Sequence, residues 1–295
     1  MRLIRFPVML LSMALMVATV ATAQDIVNRS FDVKSDGTLH IDADFGSVTI
    51  EPSSNSTVSV EMIRRVKDAS DSEQEDVLEH HEYLIESRGS DVHVESKFDN
   101  DGKNGIWRRW KNDSRFSLEI NITVPKTYNV MFKTGAANIA VADLDGSVRG
   151  KTGAGNIMVG RLTGTIEVSS GAGNIEVGGA SGQIYVDSGA GNITLDEISG
   201  KIDVSTGAGN VVASITGALS GDSKMSSGAG NVTVYLKESV GANVDGKASV
   251  GSAKTDYDLS VKGKFMSKSF EGRVNGGGPN LTLNSGVGNV SLTKL

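Results

Sequence analysis

The 295 residues carry 29 Lys and Arg against 35 Asp and Glu, a formal charge of −6, with 36 glycines, 4 prolines and no cysteine. The acidic balance argues against nucleic acid as a partner, and the lack of cysteine excludes a disulfide framework and a thioether lipid anchor. Abundant glycine with 5% aromatics suits a chain of many tight turns.

In chain order, the first predicted element is an address. Arg2 and Arg5 precede an apolar run from Val8 to Val20, and Ala21, Thr22 and Ala23 form a small-x-small cleavage signal. Residues 1–23 therefore read as a signal peptide, with the mature chain starting at Gln24. The run is shorter than the roughly 20 residues that span a bilayer, so the expected product is exported, to the periplasm or to the cell surface and medium.

Residues 24–133 read as the N-terminal part of a β-solenoid. Gly37 to Ile41 and Gly46 to Ile50 are strand-like units nine residues apart, followed by Thr57 to Val60. Ser72 to Glu75 fits a capping box, opening a helical insertion over about 70–82 that includes Val77 and Leu78. Tyr83 to Glu86, Val92 to Glu95 and Phe116 to Val124 read as strands, and Pro125 ends the last. His80 and His81 read as a solvated helix end, and with His40 and His93 elsewhere no zinc spacing is present.

The loop predicted over 99–115 departs from the rest in composition. It contains both tryptophans, and from Lys103 to Arg115 it has five cationic residues against one aspartate. Trp107, Arg108, Arg109, Trp110 and Lys111 are a candidate patch for an anionic envelope partner. In the competing reading the indoles cover an open end of the solenoid and the charges stay in water.

Residues 134–295 hold the regular repeat and the C-terminal coils. Glycines recur at Gly146, Gly155, Gly164, Gly173, Gly182, Gly191, Gly200 and Gly209, with Ala137 one step earlier. Each opens a short alternating run such as Ile175 and Val177, a strand with two side chains inward. Asparagine follows in every second unit only, at Asn138, Asn156, Asn174, Asn192 and Asn210, with later copies at Asn231 and Asn289. The step is nine residues, so the true period is eighteen: one coil of two unlike strands. Stacked coils place these asparagines in one column whose amides bond along the stack. A Ser/Thr column, Thr134, Thr152, Ser170, Ser188, Thr206, Ser227 and Ser285, precedes it and is expected to make turn hydrogen bonds. A three-residue insertion follows Gly209. No coil buries enough to fold alone, so stability belongs to the array and its ends need caps.

Chemistry is harder to find. The outward positions Ala140, Met158, Glu176, Thr194, Val212, Thr233 and Arg149, Glu167, Tyr185, Asp203, Lys224 are mixed, as on a solvated face, and form neither a clustered acid/base site nor a threonine ice-binding array. The Gly-Ala-Gly turns lead into strands, whereas phosphate binding wants a helix N-terminus. A neutral Asn column compensates a calcium ion poorly. No catalytic residue, metal ligand or cofactor is expected.

The strand Gly46 to Glu51, the helical insertion, the strand ending in Val124 and Pro125, the tandem Gly-Ala-Gly-Asn-Ile units and the closing Gly276 to Leu292 together resemble a bacterial "putative adhesin" family of β-strand repeats, related to autotransporter-adhesin head domains. The resemblance covers roughly Ser30 to Leu292. It implies a right-handed parallel β-solenoid (β-helix), all-β, at the cell envelope, and brings no catalytic or ligand residues. The functional expectation is a non-enzymatic adhesin or structural module that touches an envelope polymer, a lipid surface or another envelope protein. The alternative is a carbohydrate-active enzyme, a polysaccharide lyase or hydrolase, on a β-helix.

Overall fold

The computed structural model describes residues 23–34, 36–67, 69–98, 116–263 and 267–295. Among these the chain is all β apart from one helix. It begins with β1 (Ala23–Asp32), β2 (Thr38–Ser53), β3 (Thr57–Val66), α1 (Asp71–Glu79), β4 (His81–Arg88), β5 (Asp91–Phe98) and β6 (Phe116–Pro125). The regular middle comprises β7 (Asn129–Val141), β8 (Val148–Ala154), β9 (Ile157–Leu162), β10 (Ile166–Ala172), β11 (Ile175–Ala180), β12 (Gln183–Ala190), β13 (Ile193–Ala208), β14 (Val211–Leu219), β15 (Ser223–Ala229) and β16 (Val232–Leu236). The C-terminal part adds β17 (Ala242–Val250), β18 (Ala253–Thr255), β19 (Val261–Lys262), β20 (Lys268–Val274), β21 (Asn280–Val287) and β22 (Val290–Lys294).

In the middle, residues eighteen apart pair in parallel and in register. Val148, Ile166, Ile184 and Ile202 are successive neighbours across β8, β10, β12 and the second half of β13. Ile157, Ile175, Ile193 and Val211 are successive neighbours across β9, β11, the first half of β13 and β14. The result is a β-solenoid-like stack with two strand faces, the first series forming face one and the Asn-bearing series face two. Period-two alternation sends these Ile and Val side chains into the space between the faces, where they are at most 1% exposed, so each coil lays its apolar pairs directly on those of the next.

The inward columns also show where size matters. Phe132 pairs with Gly150 on face one, and a Cβ on Gly150 would run into the Phe132 ring. The glycine makes room for the largest inward side chain of that column. Glycine has a different task at the corner before every asparagine of the column except Asn138: Gly191 has φ +158°, and a Cβ there would run into the carbonyl oxygen of Gly173 one coil below. The three-residue insertion is absorbed stepwise between β13 and β14, with register shifts between Leu195 and Ile198 and between Ile198 and Gly200. Leu195 pairs with Ala213, still eighteen residues on, whereas Asp203 pairs with Lys224, twenty-one on.

Both ends depart from the expected all-parallel stack in chain order. β2 pairs with β7 on one side and with β5 and β6 on the other, so β5 and β6 form the outermost coil although β2 comes first in the chain. At the far end β21 lies between β15 and β17 and β22 between β16 and β18. Antiparallel strands then finish the ends: β4 on β5, β3 on β6 with β1 outside it, and β20 on β17 with β19 outside it. An antiparallel hairpin partner covers the row of free backbone groups that a parallel edge would leave open.

The helix is also shifted from its expected start. Ser70 is the N-cap, and its capping box is closed by Glu73, whose carboxylate accepts hydrogen bonds from both the Ser70 backbone N–H and the Ser70 hydroxyl, each at 2.9 Å. Asp71 and Glu73 in the first turn suit the positive end of the helix dipole. Val77 packs with Val66 and Phe98 in a small second core, flanked by Phe45, Leu78 and Phe116.

Candidate functional site

The outer side of face one carries two columns of outward side chains. In stack order the first runs His93, His40, Met131, Arg149, Glu167, Tyr185, Asp203, and the second runs Glu95, Asp42, Lys133, Lys151, Ser169, Asp187, Ser205. Together they line a cleft of about 800 Å³. Seven neighbouring strands contribute, which at about 4.8 Å per strand gives a length of roughly 29 Å. The residues Arg149, Glu167, Tyr185 and Asp203, expected on a merely solvated face, thus belong to a concave surface.

Charge in the cleft is segregated. Lys133, Arg149 and Lys151 occupy its centre, Asp42 and Glu95 lie towards one end, and Asp187 and Asp203 towards the other. Arg149 Nε lies 3.5 Å from Glu167, and Asp42 accepts Lys97 at 3.0 Å. This carboxylate, by bonding and charge, raises the Lys97 ammonium above its ordinary pKa. The Ser205 hydroxyl donates to Asp187. At the N-terminal end the His40 and His93 rings stack with centroids 4.4 Å apart, and His40 Nε2 lies 3.8 Å from Asp91. Partial burial, then the neighbouring His40, lowers the His93 pKa.

The seven asparagines Asn138, Asn156, Asn174, Asn192, Asn210, Asn231 and Asn289 stand in one column at the corner leading into face two. From Asn138 to Asn231 each Oδ1 accepts the backbone N–H of the next asparagine along the stack at 2.9 Å, and the Asn289 Oδ1 accepts that of Ser252 at 3.0 Å. The side-chain amides of Asn210, Asn231 and Asn289 also donate to the Oδ1 of the preceding asparagine, at 3.0–3.3 Å. The column lies at the surface, because the corner turns the asparagine outward while its neighbour's N–H faces along the stack. The buried ladder is the Ser/Thr one. Ser170, Ser188 and Thr206 are at most 3% exposed and donate to the carbonyls of Gly155, Gly173 and Gly191 at 2.9–3.0 Å.

His80 and His81 part company. His80 caps the helix C-terminus, whereas His81 opens β4 and is 3% exposed, so the solvated helix end holds for His80 alone. Strand alternation carries His81 inward, where its Nε2 is 2.9 Å from Ser96 Oγ and its ring packs on Phe98 and Phe116. Burial, reinforced by Arg64, lowers its pKa to about 4. Arg64 binds Asp25 of β1 and the Leu78 carbonyl, and lies over the Tyr83 ring. The patch residues Trp107, Arg108, Arg109, Trp110 and Lys111 lie outside the described residues, as do residues 1–22 of the expected signal peptide. Among the described residues there is no cluster of three or more His, Asp or Glu suited to a metal ion, and no helix is long and apolar enough to cross a membrane.

The chain belongs to the Toastrack DUF4097 family. The match spans residues 37–293, which takes in the whole stack from β2 to β22. Among solved structures, this Toastrack chain is similar to a "putative adhesin" from Bacteroides fragilis, at 12% identity and TM-score 0.49 over 92% of this chain and 97% of that one. It is also similar to a "putative cell adhesion protein" from Clostridium sporogenes, at 15% identity and TM-score 0.34 over 93% and 100%. A "putative lipid binding protein" from Parabacteroides distasonis matches at 11% identity and TM-score 0.28 over 92% and 97%. No curated protein matches the chain.

Proposed function

We propose that this Toastrack chain is a non-enzymatic, exported, right-handed β-solenoid that acts as an adhesin-like interaction module at the bacterial cell envelope, holding an envelope polymer along face one. The observation that carries the proposal is the cleft. In-register strands present two straight columns of polar and charged side chains over roughly 29 Å, and a rigid stack positions them without a loop having to order on binding. The resemblance of the tandem units to autotransporter-adhesin heads supports an envelope location, and the leader-like residues 1–23 support export.

Two strongly shifted titratable groups belong to the fold rather than to the cleft. Among the described residues, burial shifts His81 to about 4 and Tyr128 to about 12, and both lie outside the cleft. His81 bonds Ser96, and Tyr128 donates to the Ser90 carbonyl. Their environments hold the fold together rather than tune a reacting group.

The test is co-sedimentation of the purified chain with isolated envelope polymers, followed by assay of the supernatant for new reducing ends and unsaturated sugars. Binding without release of either is expected. Release on a catalytic timescale would establish the carbohydrate-active enzyme instead, and failure to bind any polymer would remove the proposal. Intact mass of the exported product, expected to begin at Gln24, tests the export step.

A further inference from the structure

We propose that the centre of the face-one cleft binds an acidic polysaccharide, with a carboxylate-bearing sugar seated over Lys133, Lys151 and Arg149 and the chain lying along the stack axis. This rests on the reading of the protein as an envelope-polymer module and names the polymer class and the residues.

Lys133 and Lys151 are direct neighbours in the parallel ladder between β7 and β8, so two ammonium-bearing side chains leave adjacent strands about 4.8 Å apart on the same side. Like charges placed opposite each other in a sheet repel. Neither lysine makes a hydrogen bond or ion pair among the described residues, although both are exposed. The nearby carboxylates are engaged elsewhere: Asp42 with Lys97, Glu167 with Arg149, and Asp187 with the Ser205 hydroxyl. The middle of the cleft is therefore a cationic spot with unused donors in a chain of net charge −6. An anion between the two lysines relieves the repulsion and gains charge-assisted hydrogen bonds.

The flanks narrow the choice of anion. Asp42 and Glu95 on one side and Asp187 and Asp203 on the other would repel a ligand charged at every unit, such as nucleic acid or polyphosphate. They suit a ligand whose negative charge is isolated among neutral hydroxyls, because carboxylates accept hydrogen bonds from hydroxyl groups and lysines donate to them. Tyr185, between Glu167 and Asp203 in register, adds an amphipathic ring of the kind that packs on a sugar face. The columns run on past Asp203 to Lys224 and Thr282, so a polymer can continue along the axis.

The test compares the chain with two double variants by isothermal titration, using hyaluronan oligosaccharides, in which a uronate alternates with a neutral sugar, as the acidic probe, dextran as the neutral probe and phosphatidylglycerol vesicles as the lipid probe. Hyaluronan is expected to bind, more weakly as salt rises, and dextran and vesicles are expected to bind poorly or not at all. Lys133→Ser with Lys151→Ser should weaken hyaluronan binding by about tenfold or more, as loss of two charge-assisted contacts implies. That variant should leave the melting temperature unchanged or raise it. Lys237→Ser with Lys254→Ser, the same change in charge outside the cleft, should cost less than about twofold. Equal losses in the two variants would mean diffuse attraction and would overturn the site. Binding to vesicles but not to hyaluronan would overturn the polysaccharide. If the chain sediments with envelope polymer while the Lys133 and Lys151 variant does so equally well, the site falls and the polymer reading stands. If the unaltered chain binds neither hyaluronan nor any envelope polymer, both fall.

Discussion

The middle of the stack and its two ends are built from the same alternating units but assembled by different rules. From β8 to β13 each coil rests on the coil before it in the chain, and paired residues are eighteen apart. At the ends the order is rewired. β2 is held between β7 and the later β5 and β6, and β21 and β22 are held between β15 and β16 on one side and β17 and β18 on the other. A repeat array grown strictly in chain order ends on a coil that can fray one residue at a time. Here the last residues of the chain are clamped between two coils, so fraying from the C-terminus requires both neighbours to be given up. The connection that permits this at the C-terminal end carries β17 to β20 between β16 and β21, and such long connections cost little extra, since closure entropy grows only slowly with length.

The largest expected effect follows from removing a clamped coil. Truncation after Pro279 deletes β21 and β22, leaves β15 and β16 paired only with β13 and β14, and detaches β17 and β18 from the stack. Loss of cooperative melting, or of soluble expression, is expected. Deletion that merely lowers the melting temperature by a few degrees would show that the ends contribute no more than any other coil.

In the middle, Ile193→Asp places an unpaired charge among Ile175, Val211 and Leu195 and should cost more than about 4 kcal/mol. Thr194→Asp, one residue on and outward, should stay within about 0.5 kcal/mol. Chemical denaturation of the pair reads the inward and outward registers directly. Gly191→Ala combines a left-handed backbone with a clash on Gly173 and should cost about 1–3 kcal/mol or more.

The N-terminal end has a sensitivity the middle lacks. His81 has an ordinary pKa of 6.5 when unfolded and about 4 when folded, so below pH 6.5 the unfolded state binds the additional proton. The stability tied to neutral His81 is complete above pH 6.5 and is lost as the pH falls towards 4. Thermal melting of the native chain should show this loss, and His81→Gln should flatten the profile across that window. The smallest effect belongs to the surface column. Asn174→Ala should cost about 0.5–1.5 kcal/mol by freeing one corner N–H, less than Ser188→Ala, which strands the buried carbonyl of Gly173.

Much of the middle was legible in the sequence because its period is printed in the residue types. Ile175, Val177 and Ser188 face inward for the same reason that they alternate, and Asn174 marks its corner. The ends were not legible, because β2, β5 and β21 carry the same alternation as every other strand and in-register pairing does not record which neighbour came first in the chain. His81 was misread as solvated because adjacency to His80 hid the change from helix to strand between them. The cleft was missed for a related reason. Arg149, Glu167 and Tyr185 looked arbitrary as a column until Lys133 and Lys151 beside them, and His40 and His93 from the rewired end, completed the surface.

The order of strands at the C-terminal end can be read chemically, since the chain contains no cysteine of its own. Lys224, Thr282 and Asp245 are successive outward neighbours across β15, β21 and β17. Cysteines at 224 and 282, or at 245 and 282, would sit on adjacent strands about 4.8 Å apart, within the Cα separation of up to about 7 Å that a disulfide accepts. Cysteines at 224 and 245 would be two strands apart, at about 9.6 Å. Mild oxidation of the folded variants, read as a mobility shift under non-reducing denaturing electrophoresis, should lock the first two pairs and leave the third open. Rapid locking of 224 to 245 with no reaction at 282 would mean that the coils stack in chain order to the end, and would contradict the clamped arrangement.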